Sequence, residues 1–483
     1  MGTFLSRGNC NNFSRPVTRR DLLRQAGSGF GMVALAALLG DEAAQAAAPL
    51  PNKNPLALRP PMFPARAKRV IFLFMHGGPS QVDTFDPKPL LTRDSGKPFP
   101  GAKPRVQFAQ TGNLLRSPWE FKKYGQSGIE VSDLFPHVGG CVDDLCVVRS
   151  LHADNTAHGG ALLQLHTGSD TFVRPSMGSW ITYGLGSENQ NLPGFLTICP
   201  TLGHGGVQNW SSAFLPAVYQ GTPIGNAGIR AKNAAVNHIK RPDDVPANLQ
   251  RMQLDLLKTV NEDQLKHFGG HDPQLEGRIA SFELAFRMQT EAPDLMDLSK
   301  ESKATRDLYG VDEEPTDNFG RQCLLARRFS ERGVRFIQVS HSYKWDQHGD
   351  LKNGHTNNAR EVDKPIAGLL QDLKARGLLK DTLVLWGGEF GRTPTAQGGD
   401  GRDHNPHGFT MWMAGGGVKP GTVYGATDDY GYYAEVDKMH VHDLHATLLH
   451  LLGIDHTRLT YRYAGRDFRL TDVEGNVAHG VIA

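Results

Sequence analysis

The chain is 483 residues long and carries 52 Lys and Arg against 50 Asp and Glu, a net charge of +2. That balance excludes the strongly basic signature of a nucleic-acid or anionic-membrane binder. Histidine is the informative residue, at 20 copies, while five cysteines in so long a chain do not make a disulfide scaffold.

The first segment reads as an export signal. Thr18-Arg19-Arg20-Asp21-Leu22-Leu23-Arg24 is a twin-arginine pattern, and Ala44-Gln45-Ala46 and Ala46-Ala47-Ala48 are small-residue cleavage sites. Between them lies a run of about 14 apolar and small residues, too short to span a bilayer and suited to a signal peptide. Residues 1–48 are therefore assigned to a signal, and residues 49–483 to one large α/β domain without an integral membrane segment. The expected location is periplasmic or extracellular. Cys10 leaves with the signal; Cys141, Cys146, Cys199 and Cys323 remain, and an oxidising compartment permits one or two disulfides among them.

In chain order, Arg69 to Met75 is an apolar strand ending in His76-Gly77-Gly78-Pro79-Ser80, with Asp83 close behind. Glycines there permit φ > 0 or a close backbone approach to a ligand. Residues 92–127, rich in Gly, Pro and Lys, read as a surface excursion. Leu145 to Leu151 is a third apolar run, leading into His152-Ala153-Asp154-Asn155-Thr156-Ala157-His158-Gly159-Gly160. Polar groups between a buried strand and a helix N-terminus face free backbone N–H groups, an oxyanion or phosphate position, although Asp154, Asn155 or Thr156 also serve as caps.

Phe195 to Cys199 is a short strand, and residues 200–245 read as a substrate-side surface insertion. Leu249 to Met296 has helical spacing for two helices, and Arg321 to Glu331 for another. Val334 to Ser340 is a strand followed by a polar stretch in which Asp346 and His348, two apart, point the same way if extended. Asn358 to Gly377 is an amphipathic helix stopped by its glycine. Thr382 to Trp386 is a strand buried on both faces, ending in Gly387-Gly388-Glu389, which puts Glu389 at a sheet C-edge. A glycine-rich loop supplies Asp403, His404 and His407 before the strand Phe409 to Ala414. A carboxylate and two histidines in one strand-loop-strand unit have the composition of a zinc or hard-metal site. His442 to Gly453 is a helix, with His442 and His445 divided between site and packing, and Tyr461 to Leu470 is a hairpin arm.

Strands alternate with helices, and four strand C-edges carry metal-type ligands or anion-binding turns, so a mostly parallel sheet would gather them. The stretches HGGPSQVDTFDPKP, WDQH, GGEFGRTP, GRDHNPHGF and HDLHATLLHLLG, with LTYRYAGRDFRLTD, resemble the domain of unknown function 1501 family over nearly the whole mature chain. That family is sulfatase-like and in turn resembles the alkaline phosphatase superfamily. The resemblance implies a large, mostly parallel sheet between helices with one or two divalent metals at the strand ends: zinc, calcium, magnesium or manganese. The superfamily's first metal-binding Asp corresponds to His76, with Asp83 nearby; its Asp-x-x-x-His pair to Asp346 and His348; its Asp-His pair to Glu389 alone; its last histidine to His404 or His407. The Thr167-Gly168 anchor is similar to that of sulfatases, and counting back from it reaches His158, with Thr156 two before. No C/S-x-P-S-R occurs, so the formylglycine of sulfatases is not expected.

The resemblance implies in-line hydrolysis or transfer of a phosphate or sulfate ester, on a small molecule or a polysaccharide, with Thr156 and His158 as catalytic candidates and His152 as a second proton donor. The alternative is an inactive secreted binding protein on the same fold, with its metals kept for structure. A third reading is a metal-dependent hydrolase of other bonds.

Overall fold

A computed structural model describes residues 54–102, 110–237, 239–241, 245–267 and 272–483. The signal assigned to residues 1–48 lies outside the described residues. The strand β1, Arg69–Met75, is the middle of the molecule because its side chains are apolar on both faces. Val70, Phe72 and Phe74 pack into one apolar layer and Ile71, Leu73 and Met75 into the other, all of them fully buried. Each such side chain contributes about 1.5–3 kcal/mol on leaving water.

The remaining strands, in chain order, are β2 Phe121–Tyr124, β3 Ile129–Ser132, β4 Leu145–His152, β5 Phe195–Ile198, β6 Thr222–Ile224 and β7 Phe336–His341. Next come β8 Thr382–Gly387, β9 Gly391–Gln397, β10 Gly401–Asn405, β11 Phe409–Ala414 and β12 Thr422–Tyr424. The last are β13 Ala426–Thr427, β14 Ala434–Val436, β15 Met439–His440, β16 Tyr461–Tyr463 and β17 Arg466–Phe468. A nine-stranded sheet runs β12-β4-β11-β8-β1-β7-β5-β6, with β15 also paired to β4. β11 alone among its described strands runs antiparallel, to both β4 and β8. The result is a mixed, mainly parallel sheet flanked by helices, the architecture expected from alternating strands and helices.

One face is covered by helices Asp317–Glu331 and Leu351–Ala375, which place Leu324, Phe329, Ile366 and Leu370 against Ile71 and Leu73. The other is covered by His158–Thr167, Met177–Leu185 and Val441–Leu451, through Leu162, Trp180, Leu444 and Leu448. Register levels the strand ends that matter: Met75 lies beside His341, and Phe74 beside Gly387.

Four sequence expectations change. The stretch 200–245 supplies β6, which joins the sheet parallel to β5, so part of it is framework. The glycine-rich loop after β8 is the antiparallel hairpin β9–β10. Its inward side chains include Arg392, Arg402 and Asp403, so it lacks the apolar alternation that announces a strand. The helix expected from Asn358 begins at Leu351 and takes in His355, whose Nε2 accepts from the Ser80 N–H at 3.1 Å. Cys141, Cys146, Cys199 and Cys323 are all buried free thiols. No helix among the described residues is long and apolar enough to cross a membrane.

Candidate metal centre

His76 follows β1, Glu389 follows β8 by two residues, and Asp346 and His348 lie in the loop after β7. His158 opens the helix after β4, and the β9–β10 hairpin carries Asp403 and His404 into the same space. The chain comes close enough only because of two glycines. A Cβ on Gly77 (φ +114°) would stand 2.7 Å from the Asp346 nitrogen, and one on Gly78 (φ +83°) 2.7 Å from Phe390 Cδ2.

Asp346 is the hub. Its Oδ1 lies 3.0 Å from Nε2 of His348, 3.0 Å from Nε2 of His404 and 2.6 Å from Nη2 of Arg392, while Oδ2 lies 3.1 Å from Nε2 of His158. Arg392 is fully buried and also donates to the carbonyls of Gly77, Gly78, Trp345 and Arg402. One guanidinium thus ties the turn after β1, the loop after β7 and the hairpin together, a task suited to its rigid fork of five donors.

The other nitrogen of each histidine fixes its tautomer. His404 Nδ1 lies 2.7 Å from the Thr156 carbonyl, which only accepts, so Nδ1 carries the proton. His158 Nδ1 lies 2.7 Å from Glu389 Oε1, and His348 Nδ1 faces Gln397 Oε1. Each neutral ring therefore turns the lone pair of Nε2 toward the carboxylate of Asp346. Lone pairs converging on an anion are unfavourable alone and are the arrangement a cation satisfies; an Nδ1–H held by a carbonyl or carboxylate is the usual support of a metal-binding imidazole. His158 Nε2 is buried, and although 3.1 Å from Asp346 it makes no aligned hydrogen bond. The ligand atoms fall into two groups, each within 4.8 Å: His158, Asp346 and His404, and His348, Asp403 and His404. Two imidazole nitrogens and a carboxylate are a donor set for zinc or a similar divalent ion, so the residues fit the implied metal.

Without a cation, protons do this work. His158 is pushed up to about 9: burial opposes its charge, but the carboxylates of Asp346 and Glu389 prevail. Glu389 falls to about 2, its burial outweighed by the bond to His158 and the proximity of His76. Asp346 is held well below the usual carboxylate range, against its own desolvation, by the closeness of His158, His348 and His404 and of the Arg392 guanidinium. Burial lowers His404, keeping it neutral at pH 7.

His76 differs. Its Nδ1 accepts the Tyr343 N–H at 3.1 Å, so in the neutral ring Nε2 carries the proton. Its nitrogens lie within 4.8 Å of those of His158 and His204, spacing that fits a cation, but an N–H is not a metal ligand. The Tyr343 N–H, a fixed backbone donor, sets this tautomer. Burial lowers the pKa of His76 and so favours this neutral form.

Of the sequence candidates, the structure gathers His76, His158, Asp346, His348, Glu389, Asp403 and His404. Glu389 is fully buried and bound to the Gly77 N–H at 3.0 Å and to His158, the position of a group that orients a ligand. Thr156 joins through its carbonyl. Asp83 is occupied elsewhere: its oxygens receive Arg402 Nε at 2.6 Å and Nη2 at 3.1 Å, and Ser80 Oγ at 2.5 Å. His407 packs on the Tyr433 ring, centroids 5.5 Å apart, and belongs to no ligand group of the described residues. His152 packs beside His440 at 5.0 Å. His442 and His445 face the carbonyls of Gly168 (3.0 Å) and Leu165 (2.8 Å) through Nε2, as packing histidines do. Sequence reasoning missed Arg392, which stands in the quoted GGEFGRTP stretch, and His204. The latter sits in an irregular loop at φ 48°, its ring 4.9 Å from His158 and 5.7 Å from His76, and no periodicity marks it.

The sequence profile of a family described as "Protein of unknown function (DUF1501)" matches residues 67–482. The chain belongs to that family. No curated protein matches it. Among solved structures, this DUF1501 chain is similar to the lipoteichoic acid synthase LtaP from Listeria monocytogenes, at 11% identity over 86% of this chain and 78% of that one, TM-score 0.33. It is similar to the PsFucS1 sulfatase from Pseudoalteromonas sp., at 13% identity over 80% and 68%, TM-score 0.34. A third is a protein in the alkaline phosphatase superfamily from Vibrio parahaemolyticus, at 11% identity over 84% and 71%, TM-score 0.35.

Proposed function

We propose that this protein is an exported, metal-dependent hydrolase of phosphate or sulfate esters, carried by small molecules or polysaccharides. The observation that carries the proposal is the convergence of His158, His348 and His404, each with Nδ1 facing an oxygen, on the carboxylate of Asp346. His158, Asp346 and His404, whose ligand atoms lie within 4.8 Å of one another, would hold an ion, and His348, Asp403 and His404 form a second such group beside them. A divalent cation bound there neutralises charge on the nonbridging oxygens of the ester and lowers the pKa of an attacking hydroxyl.

The chain's own groups supply the rest. Arg392 holds Asp346 in place from the buried side. Glu389 keeps the proton of His158 on Nδ1, so that Nε2 stays turned toward Asp346. Thr156 is the proposed nucleophile, tied to the cluster through its carbonyl bond to His404. Its side-chain hydroxyl oxygen bonds to phosphorus or sulfur as the bond to the alcohol breaks, and the hydroxyl proton ends on the departing alkoxide. Water then cleaves the threonine ester and frees the anion. The test is turnover of aryl phosphates and aryl sulfates by the purified protein, before and after chelation and metal return. Turnover restored by metal, and abolished in Asp346→Asn, supports the proposal; bound metal with no turnover favours the inactive binding protein.

Export rests on Arg19-Arg20. Changing both to Lys should hold the protein in the cytoplasm with its signal uncleaved, and normal delivery of that variant would sink this part.

A further inference from the structure

Next to the ligands of Asp346 stands a further group: His76, His158 and His204, with nitrogens within 4.8 Å of one another. Its protonation pattern differs from that of a metal site: Glu389 Oε1 takes the His158 Nδ1–H at 2.7 Å and lies 4.0 Å from His76 Nε2, beyond hydrogen-bond reach. His76 is 1% exposed and its Nδ1 takes the Tyr343 N–H, so the nitrogen left over, Nε2, presents a hydrogen to the space it shares with His158 and His204. Tyr343 also lays its ring on His76, centroids 4.7 Å apart, and bonds through its hydroxyl to the Gly203 N–H. The two contacts seat His204 over His76 from the solvent side.

His158 begins a ten-residue helix, so the first N–H groups of that helix have no acceptor within it. Gly159 in its first turn borders open space, since a Cβ there would meet nothing within 4 Å. A donor-presenting buried imidazole, an exposed histidine above it and a helix N-terminus beside them form an array of donors, which attracts negative charge.

We infer that His76, His204 and the start of the His158–Thr167 helix form the seat for the anionic oxygens of the substrate, a tetrahedral oxyanion subsite beside the metal centre and not a further metal site. The inference rests on the ester-hydrolase reading and names what receives the group that is cleaved. His76 donates its Nε2–H to a nonbridging oxygen as a neutral imidazole, a role that requires no change of protonation. His204, carried on a loop with positive φ at His204, Gly205 and Gly206, closes the seat.

The test uses the full chain and inorganic phosphate, with inorganic sulfate in parallel, measured by calorimetry, together with metal content by plasma mass spectrometry. His76→Ala and His204→Ala should keep the metal content of the parent protein and bind the anion about tenfold more weakly or worse, the loss expected for a hydrogen bond to a charged group. His76→Gln, whose amide still donates, should recover part of the loss. A metal deficit in His76→Ala or His204→Ala would make the group a metal site and overturn the inference, as would unchanged anion binding in both. Thermal melts of His204→Ala, altered at an exposed side chain, separate a binding loss from unfolding. If the parent binds anion and the His76 pattern holds but no metal is found, the metal reading fails and the subsite stands.

Discussion

Nε2 of His348 and Nε2 of His404 lie 3.0 Å apart, and both lie 3.0 Å from the same oxygen of Asp346. With Nδ1 of each ring turned to an oxygen, the facing nitrogens hold lone pairs unless a proton or a cation lies among them. His404→Ala should therefore lower metal affinity sharply, and chelation of the parent should lower its melting temperature by several degrees, because bound metal adds to folding free energy. Scanning calorimetry with and without chelator reads this directly; superimposable curves would remove the ion from the structure.

Glu389 contributes one step back from the cation. Glu389→Gln keeps a side chain of the same shape but weakens control of the His158 tautomer. We expect metal affinity to fall about 10–100-fold in this variant, with the protein still folded. A chelator competition titration measures it. Complete loss of the ion would instead make Glu389 a direct ligand, as its position at the strand end first suggests.

Arg392→Lys should be costly. A lysine cannot reach Gly78, Trp345, Arg402 and Asp346 at once, and leaves buried carbonyls and a carboxylate unpaired. A loss of about 3 kcal/mol or more is expected from chemical denaturation. A cost below about 1 kcal/mol would mean that the hairpin is held by other contacts.

Much of this architecture is legible in the sequence. The strands β1 and β8 announce themselves as unbroken apolar runs, and the polar residue just past each run, His76 or Glu389, is found by counting. The β9–β10 hairpin is not legible, because its buried side chains, Arg392, Arg402, Asp403 and Asn405 among them, are polar, and a polar interior has no hydrophobic period. His204 is hidden for another reason: an irregular loop brings it to the site, held by the Tyr343–Gly203 bond and by Asn209 donating to the His204 carbonyl. The engagement of Asp83 by Arg402, across 319 positions of chain, is likewise invisible before folding. Tautomers, which separate His76 from His404, depend on partners that the sequence does not pair.

Acid should destabilise the protein through histidines outside the centre. Burial lowers His166 to about 4, His355 to about 3 and His445 to about 3, from the usual 6.5. Between these values and 6.5 the unfolded chain binds more protons than the native one, so stability is complete above pH 6.5 and is lost as pH falls toward 4 and 3. Melting temperature should drop from pH 7 to pH 5, and His445→Gln, which retains a donor for the Leu165 carbonyl, should show a shallower drop. An equal slope in parent and variant would show that His445 does not titrate with unfolding.

The most direct test of the central claim is the number of divalent ions per chain in dialysed protein and in Asp346→Asn, counted by plasma mass spectrometry. We expect at least one ion in the parent and its loss in the variant, with both proteins folded by circular dichroism. No ion in either, or the same content in both, would contradict a metal centre built on Asp346.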